Sequence, residues 1–214
     1  MKTSDLIAAL AAADPRPVRQ ANPTAPVAAA AGIGVAAAVA VLALWLGFQS
    51  LAHAFSASWF WMKAGYSLAL ALAGFLLLVR AVRPGARLGL AWLVVGGLAL
   101  GAIGMMAAHS SMRTPADRQM ALWLGSTWRV CPWRILALAI PTYVAIVLSV
   151  RRFAPTRLGL AGAAAGLIAG GLAAAVYGLY CQENTAPFTA AWYSAGIAAC
   201  ALIGGALGSR LLRW

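Results

Sequence analysis

Acidic residues are scarce in this 214-residue chain. Four Asp and Glu stand against 16 Lys and Arg, and charged residues make up 9% of a chain that is 63% hydrophobic, where a soluble domain carries about 25% charge. A soluble globule is excluded. The four acids are Asp5, Asp14, Asp117 and Glu183, and none falls inside an apolar stretch. Ion-coupled transporters use ionisable groups at membrane depth, so their absence argues against a proton- or cation-coupled carrier and leaves a passive pore open. Histidine is limited to His53 and His109, both at the ends of apolar stretches. There is no Ser-His-Asp grouping, no H-E-x-x-H and no phosphate-binding glycine loop, and no enzyme activity is expected. Cysteine is limited to Cys131, Cys181 and Cys200, too few and too widely spaced for a disulfide framework and without a C-x-x-C pair.

What is present is apolar sequence. Stretches at roughly 26–48, 62–82, 88–108, 132–150, 158–180 and 191–209 each approach the length needed to cross a bilayer. The predicted fold is an all-α membrane protein, a six-transmembrane-helix bundle with short loops, because lipid offers the backbone no hydrogen-bond partner. Residues 1–25 form a tail and 26–214 the membrane domain, with no room for a separate catalytic domain. The net charge of +12 would suggest nucleic acid in a soluble protein. Here the charges fall between apolar runs, so they are read as topology and no direct nucleic-acid contact is expected.

Lys2, Arg16, Arg19, Arg80, Arg83, Arg87, Arg151, Arg152, Arg157, Arg210 and Arg213 lie on one side, against Lys63, Arg113, Arg118, Arg129 and Arg134 on the other. The richer side is the cytoplasmic one, which places both termini inside and loops near 49–61, 109–131 and 181–190 outside. Trp59, Trp61, Trp123, Trp128, Trp133 and Trp192 gather at the outer boundary, as an interfacial belt does. Ala52-His53-Ala54 imitates a signal-peptidase site. The preceding apolar run is longer than a signal h-region and follows 25 residues that include Asp5 and Asp14, so it reads as a retained first helix. Gly96-Gly97 with Gly101 and Gly104, Gly166 with Gly170, and Gly204 with Gly208 permit close helix approach, and packing within one chain is the simplest use for them.

Cys131 opens the fourth span in Val130-Cys131-Pro132-Trp133-Arg134, and Cys181 closes the fifth in Tyr180-Cys181-Gln182-Glu183. Both are expected at similar depth on the outer side. A helix N-terminus flanked by Arg129 and Arg134 favours thiolate, making Cys131 the more reactive of the two. The pair could be a switch, through a disulfide or through transient soft-metal binding with His109 or His53 as accessory ligands; a permanent structural disulfide is the alternative. No resident cofactor is expected. Cys200, between Ala199 and Ala201, reads as a small buried hydrophobe. In the tail, Thr3-Ser4-Asp5 can cap a helix of about ten residues whose apolar stripe is Leu6, Ile7 and Leu10 and which stops at Asp14-Pro15. So short a helix is marginal alone in water and suits a partner groove.

The opening Met1-Lys2-Thr3-Ser4-Asp5-Leu6-Ile7-Ala8-Ala9-Leu10, the Cys131-Pro132-Trp133-Arg134 helix start, the Ala154-Pro155-Thr156-Arg157 turn, Tyr180-Cys181 with Ala186-Pro187-Phe188 beyond it, and the final Arg210-Leu211-Leu212-Arg213-Trp214 resemble the NrsF-type negative regulators of sigma-F. These are proteobacterial six-helix anti-sigma factors. The resemblance covers essentially the whole chain. It implies a multi-pass protein of the bacterial inner membrane that holds an extracytoplasmic-function sigma factor inactive in the cytoplasm and releases it under heavy-metal or oxidative stress. It also implies that Cys131 and Cys181 receive the signal. Leu6, Ile7 and Leu10 are then candidates for part of the sigma contact. Two other classes fit less well. A membrane thiol-disulfide oxidoreductase would want a second cysteine pair, and a passive metal-permeation protein would want ligands along the whole bundle.

Overall fold

The computed structural model describes residues 3–12, 22–47, 57–83 and 85–213, and among them every regular element is helical. The order is α1 (Thr3–Ala12), α2 (Thr24–Trp45), α3 (Ser58–Ala81), α4 (Ala91–Met112), α5 (Ala116–Leu124), α6 (Cys131–Val150), a 3-10 turn at Arg151–Phe153, α7 (Leu158–Tyr177) and α8 (Ala186–Leu211). Six of these, α2, α3, α4, α6, α7 and α8, are long and apolar enough to cross a membrane. The expected all-α fold with six candidate spans is therefore the observed one.

The boundaries differ at the end of the bundle that carries Cys131. Helix α3 begins at Ser58 and not near residue 62, because Trp59, Phe60 and Trp61 continue the helix outward from an extended Ala57. Helix α8 begins at Ala186 and not near 191. Its start is set by Thr185, whose hydroxyl accepts the Phe188 amide at 3.4 Å, and by Pro187 in the first turn, where a missing amide costs nothing. A π-helical turn at Thr189–Tyr193 then interrupts it. Such single turns recur at functional sites. The expected loop at 109–131 contains a helix, α5, at Ala116–Leu124, with Asp117 in its first turn.

Helix α7 occupies the centre, packed against α2, α3, α6 and α8. It can do so because most of its buried positions are Ala or Gly. Toward α8, a Cβ at Gly162 would run into the Gly204 carbonyl oxygen and come within 2.6 Å of the Gly208 Cα, and one at Gly166 would run into the Cys200 carbonyl oxygen. Toward α3, a Cβ at Gly171 would lie 2.6 Å from the Ser67 carbonyl oxygen. The backbones thus meet directly, the close packing that replaces hydrophobic drive inside lipid. The Gly166/Gly170 and Gly204/Gly208 spacings are spent within the chain, whereas Gly97, Gly101 and Gly104 on α4 face open space. Cys200 is buried in the α7–α8 seam, where a Cβ on Gly170 would meet its sulfur at 3.1 Å.

Helix α4 is the outermost span, with Leu93, Val94, Leu98, Leu100, Met105 and Met106 exposed. In water this face would be a liability; in a bilayer it meets its own solvent. At the opposite end of the bundle from Cys131, the Arg83 guanidinium donates to Asn22 Oδ1 at 3.1 Å and Arg151 Nε donates to the Leu211 carbonyl at 2.8 Å. The first of these ties the end of α3 to the stretch preceding α2.

Candidate functional site

Cys131 is the first residue of α6, and its amide donates to the Thr127 carbonyl at 3.0 Å, which carries a helical turn back to Thr127. Its side chain is fully buried, 0% exposed, and Cys181, just past α7, is 6% exposed. Both belong to one cluster with Ile135, Tyr177, Phe188 and Tyr193. The two thiols lie within electrostatic reach of each other, and Lys63, Arg134 and Glu183 are within reach of Cys131. No disulfide joins them: all three cysteines are free.

This burial departs from the reactive, outward-facing Cys131 that its flanking arginines suggest. Arg129 stacks on the Trp128 ring at 5.0 Å and Arg134 on the Tyr180 ring at 5.2 Å, so both cations cover the outside while the sulfur points in. The cover is held by polar ties from the end of α5 and the residues just after it to the 183–185 stretch and the start of α8. Thr185 Oγ1 donates to the Leu122 carbonyl at 3.0 Å, and Trp192 Nε1 to the Trp123 carbonyl at 2.9 Å. Ser126 donates from both its amide (2.7 Å) and its hydroxyl (2.6 Å) to Glu183 Oε1.

Gly125 makes the last of these ties possible. At φ +56° and ψ −166° it occupies a region that only glycine enters readily, and a Cβ there would lie 2.6 Å from Glu183 Oε2. Gly125→Ala is expected to destabilise the folded protein by about 1–3 kcal/mol from backbone strain and to loosen the Ser126–Glu183 tie. A thermal midpoint equal to that of the unaltered protein would refute this.

Beneath the cover sits Lys63, 2% exposed. Its ammonium donates to the Cys181 carbonyl at 2.8 Å and to the Glu183 carbonyl at 2.9 Å. The Tyr177 and Tyr193 rings pack at 6.0 Å. Tyr193 lies against Cys181, and Tyr177 against Arg134. Neither hydroxyl completes a hydrogen bond of normal geometry among the described residues.

The remaining sequence candidates are not brought here. His109 is exposed near the end of α4, and His53 lies outside the described residues. Among the described residues no group of three or more His, Cys, Asp or Glu could hold a metal ion, so none of them offers a soft metal a third such ligand beside the two sulfurs. Leu6 and Ile7 are exposed on α1, while the Leu10 side chain is outside the described set.

A family model described as "Negative regulator of sigma F", NrsF, matches residues 11–214. The chain belongs to the NrsF family. A protein named anti-sigma-F factor NrsF from Caulobacter vibrioides (strain NA1000 / CB15N) is 42% identical over 217 residues, covering 100% of both chains. One named probable anti-sigma-F factor NrsF from Azospira oryzae (strain ATCC BAA-33 / DSM 13638 / PS) is 40% identical over 157 residues, 72% of each chain. No solved structure matches. For this NrsF-family chain, sequence reasoning counted Lys63 among loop charges and missed its place in the site. The signal was available, since a lysine one turn inside an apolar helix marks a functional position by default.

Proposed function

We propose that the chain is a membrane-bound anti-sigma factor. It sequesters an extracytoplasmic-function sigma factor on the cytoplasmic side of the inner membrane and frees it when Cys131 and Cys181 are modified from the periplasm. The observation that carries the reading is the full-length similarity to a protein named anti-sigma-F factor. The closed cluster that holds both thiols supports their role. The role is regulatory and not catalytic, and the third thiol supports that, because Cys200 is committed to the α7–α8 seam and offers no second pair to pass electrons on.

A two-electron oxidant would remove two electrons and two protons from the Cys131 and Cys181 thiols and leave an S–S bond; a soft divalent cation would instead displace the two protons and bind both sulfurs. Either bonds α6 to the end of α7 and favours one packing of the bundle over another. Driving such an equilibrium from 1:99 to 99:1 takes about 5.5 kcal/mol of differential stabilisation, which metal–thiolate bonds can supply.

On the sigma side, α1 offers Leu6 and Ile7 exposed as groove anchors, with Leu10 one turn on. Deleting residues 2–14 is expected to lower co-purification of the sigma factor at least tenfold, a loss of about 1.4 kcal/mol or more, with membrane insertion unchanged. Undiminished sigma recovery would remove the tail from the contact.

A further inference from the structure

A buried lysine in a membrane helix normally neutralises an acid or lines a path for ions. Lys63 does something else. Among the described residues Lys63 forms no salt bridge, and the Glu183 carboxylate is held by Ser126. The Lys63 ammonium is directed at main chain, at two carbonyls with one residue between them, those of Cys181 and Glu183. Those carbonyls belong to the stretch between the end of α7 at Tyr177 and the start of α8 at Ala186, where the helical ladder ends with the Cys181 amide on the Tyr177 carbonyl and gives neither carbonyl a backbone donor. A charged donor reaching two carbonyls from a neighbouring helix fixes that stretch more firmly than neutral hydrogen bonds would. It also holds the Cys181 backbone in the cluster that contains Cys131, with both sulfurs within electrostatic reach of the same ammonium.

We propose that Lys63 is the positioning residue of the cysteine pair: it latches the Cys181–Glu183 backbone to α3 and so keeps both thiols closed until a signal engages them. This rests on the reading of the pair as the sensor, and it adds the element that the pair must move against. The latch is well placed for that. Helix α3 runs from Lys63 to the end at which Arg83 holds Asn22, about 30 Å at 1.5 Å per residue, so a change at Cys181 acts on the helix that also touches the tail.

The test is the rate at which a membrane-impermeant maleimide labels each cysteine in the purified full-length protein, read by peptide mass spectrometry for the unaltered chain, Lys63→Met and Lys63→Gln. Replacing a buried cation by an apolar side chain of similar length removes a desolvation cost, so the bundle is expected to survive. Cys200, locked between α7 and α8, reports whether it has. Labelling of Cys131 and Cys181 is expected to rise at least tenfold in both variants, with Cys200 at the unaltered rate. Unchanged labelling of the pair would overturn the proposal. So would equal acceleration of Cys200 in both variants, which would make Lys63 a support of the whole bundle. The readout needs no sigma factor, so the latch can fail while sigma binding stands, and sigma binding can fail while the latch holds.

Discussion

Cells in which Cys131 and Cys181 are both replaced by serine are expected to keep their sigma factor bound throughout heavy-metal or oxidative stress, with a sigma-dependent reporter staying at its uninduced level. The reason is thermodynamic. A signal shifts a two-state bundle only by the difference in its bonding to the two packings, and a hydroxyl pair forms neither a disulfide nor a strong bond to a soft cation. Each single replacement is expected to behave like the double one, because both chemistries need two sulfurs. Both sites are buried, so a serine left without a partner costs about 1–3 kcal/mol. The corresponding alanine pair separates that cost from the loss of signal. Induction that persists in the serine and alanine pairs would end the thiol account.

The largest structural effect is expected at the α7–α8 seam. A Cβ on Gly166 would run into the Cys200 carbonyl oxygen and lie 3.0 Å from the Ala201 Cα, and backbone atoms cannot step aside as a flexible side chain can. Gly166→Leu must therefore part the two helices along a contact that continues through Gly162, Gly204 and Gly208. The expected cost is about 3 kcal/mol or more, at or beyond the upper end for overpacked cores. It should be read as a lowered thermal midpoint and a smaller folded yield. Gly101→Leu is the matched comparison. It meets nothing within 4 Å and improves helix propensity, so it should leave both measures intact. Equal losses at the two positions would show that the seam has no special standing.

The contrast between those glycines shows where sequence reading stops. Apolar runs of spanning length announce six helices because the bilayer enforces helical hydrogen bonding, and the six observed helices follow. The same glycine spacing occurs on α4, α7 and α8, yet only the last two use it against each other, since partner choice depends on which faces meet in space. Cys131 and Cys181 stand out in the sequence by their helix-end positions. Their burial does not, because it comes from Tyr177, Phe188, Tyr193 and Trp128, gathered from distant parts of the chain and tied by contacts across more than 50 residues. Lys63 was hidden by the opposite effect. At the edge of an apolar run it looks like one more outer charge, and only the path of the 178–185 segment turns it into the donor for two carbonyls. The tail helix, Thr3–Ala12, has the ten residues expected of it, while the proposed stop at Asp14-Pro15 lies outside the described residues.

The central claim is that a chemical event at the two sulfurs is felt where the sigma factor is held. The most direct measurement takes the solubilised complex of this protein with its sigma factor on an affinity resin, adds a thiol oxidant or a soft metal ion, and quantifies the sigma factor that leaves. The account predicts release that depends on Cys131 and Cys181 and reverses when the thiols are restored by reductant or chelator. Sigma factor that stays on the resin after both thiols are shown to be modified would contradict it.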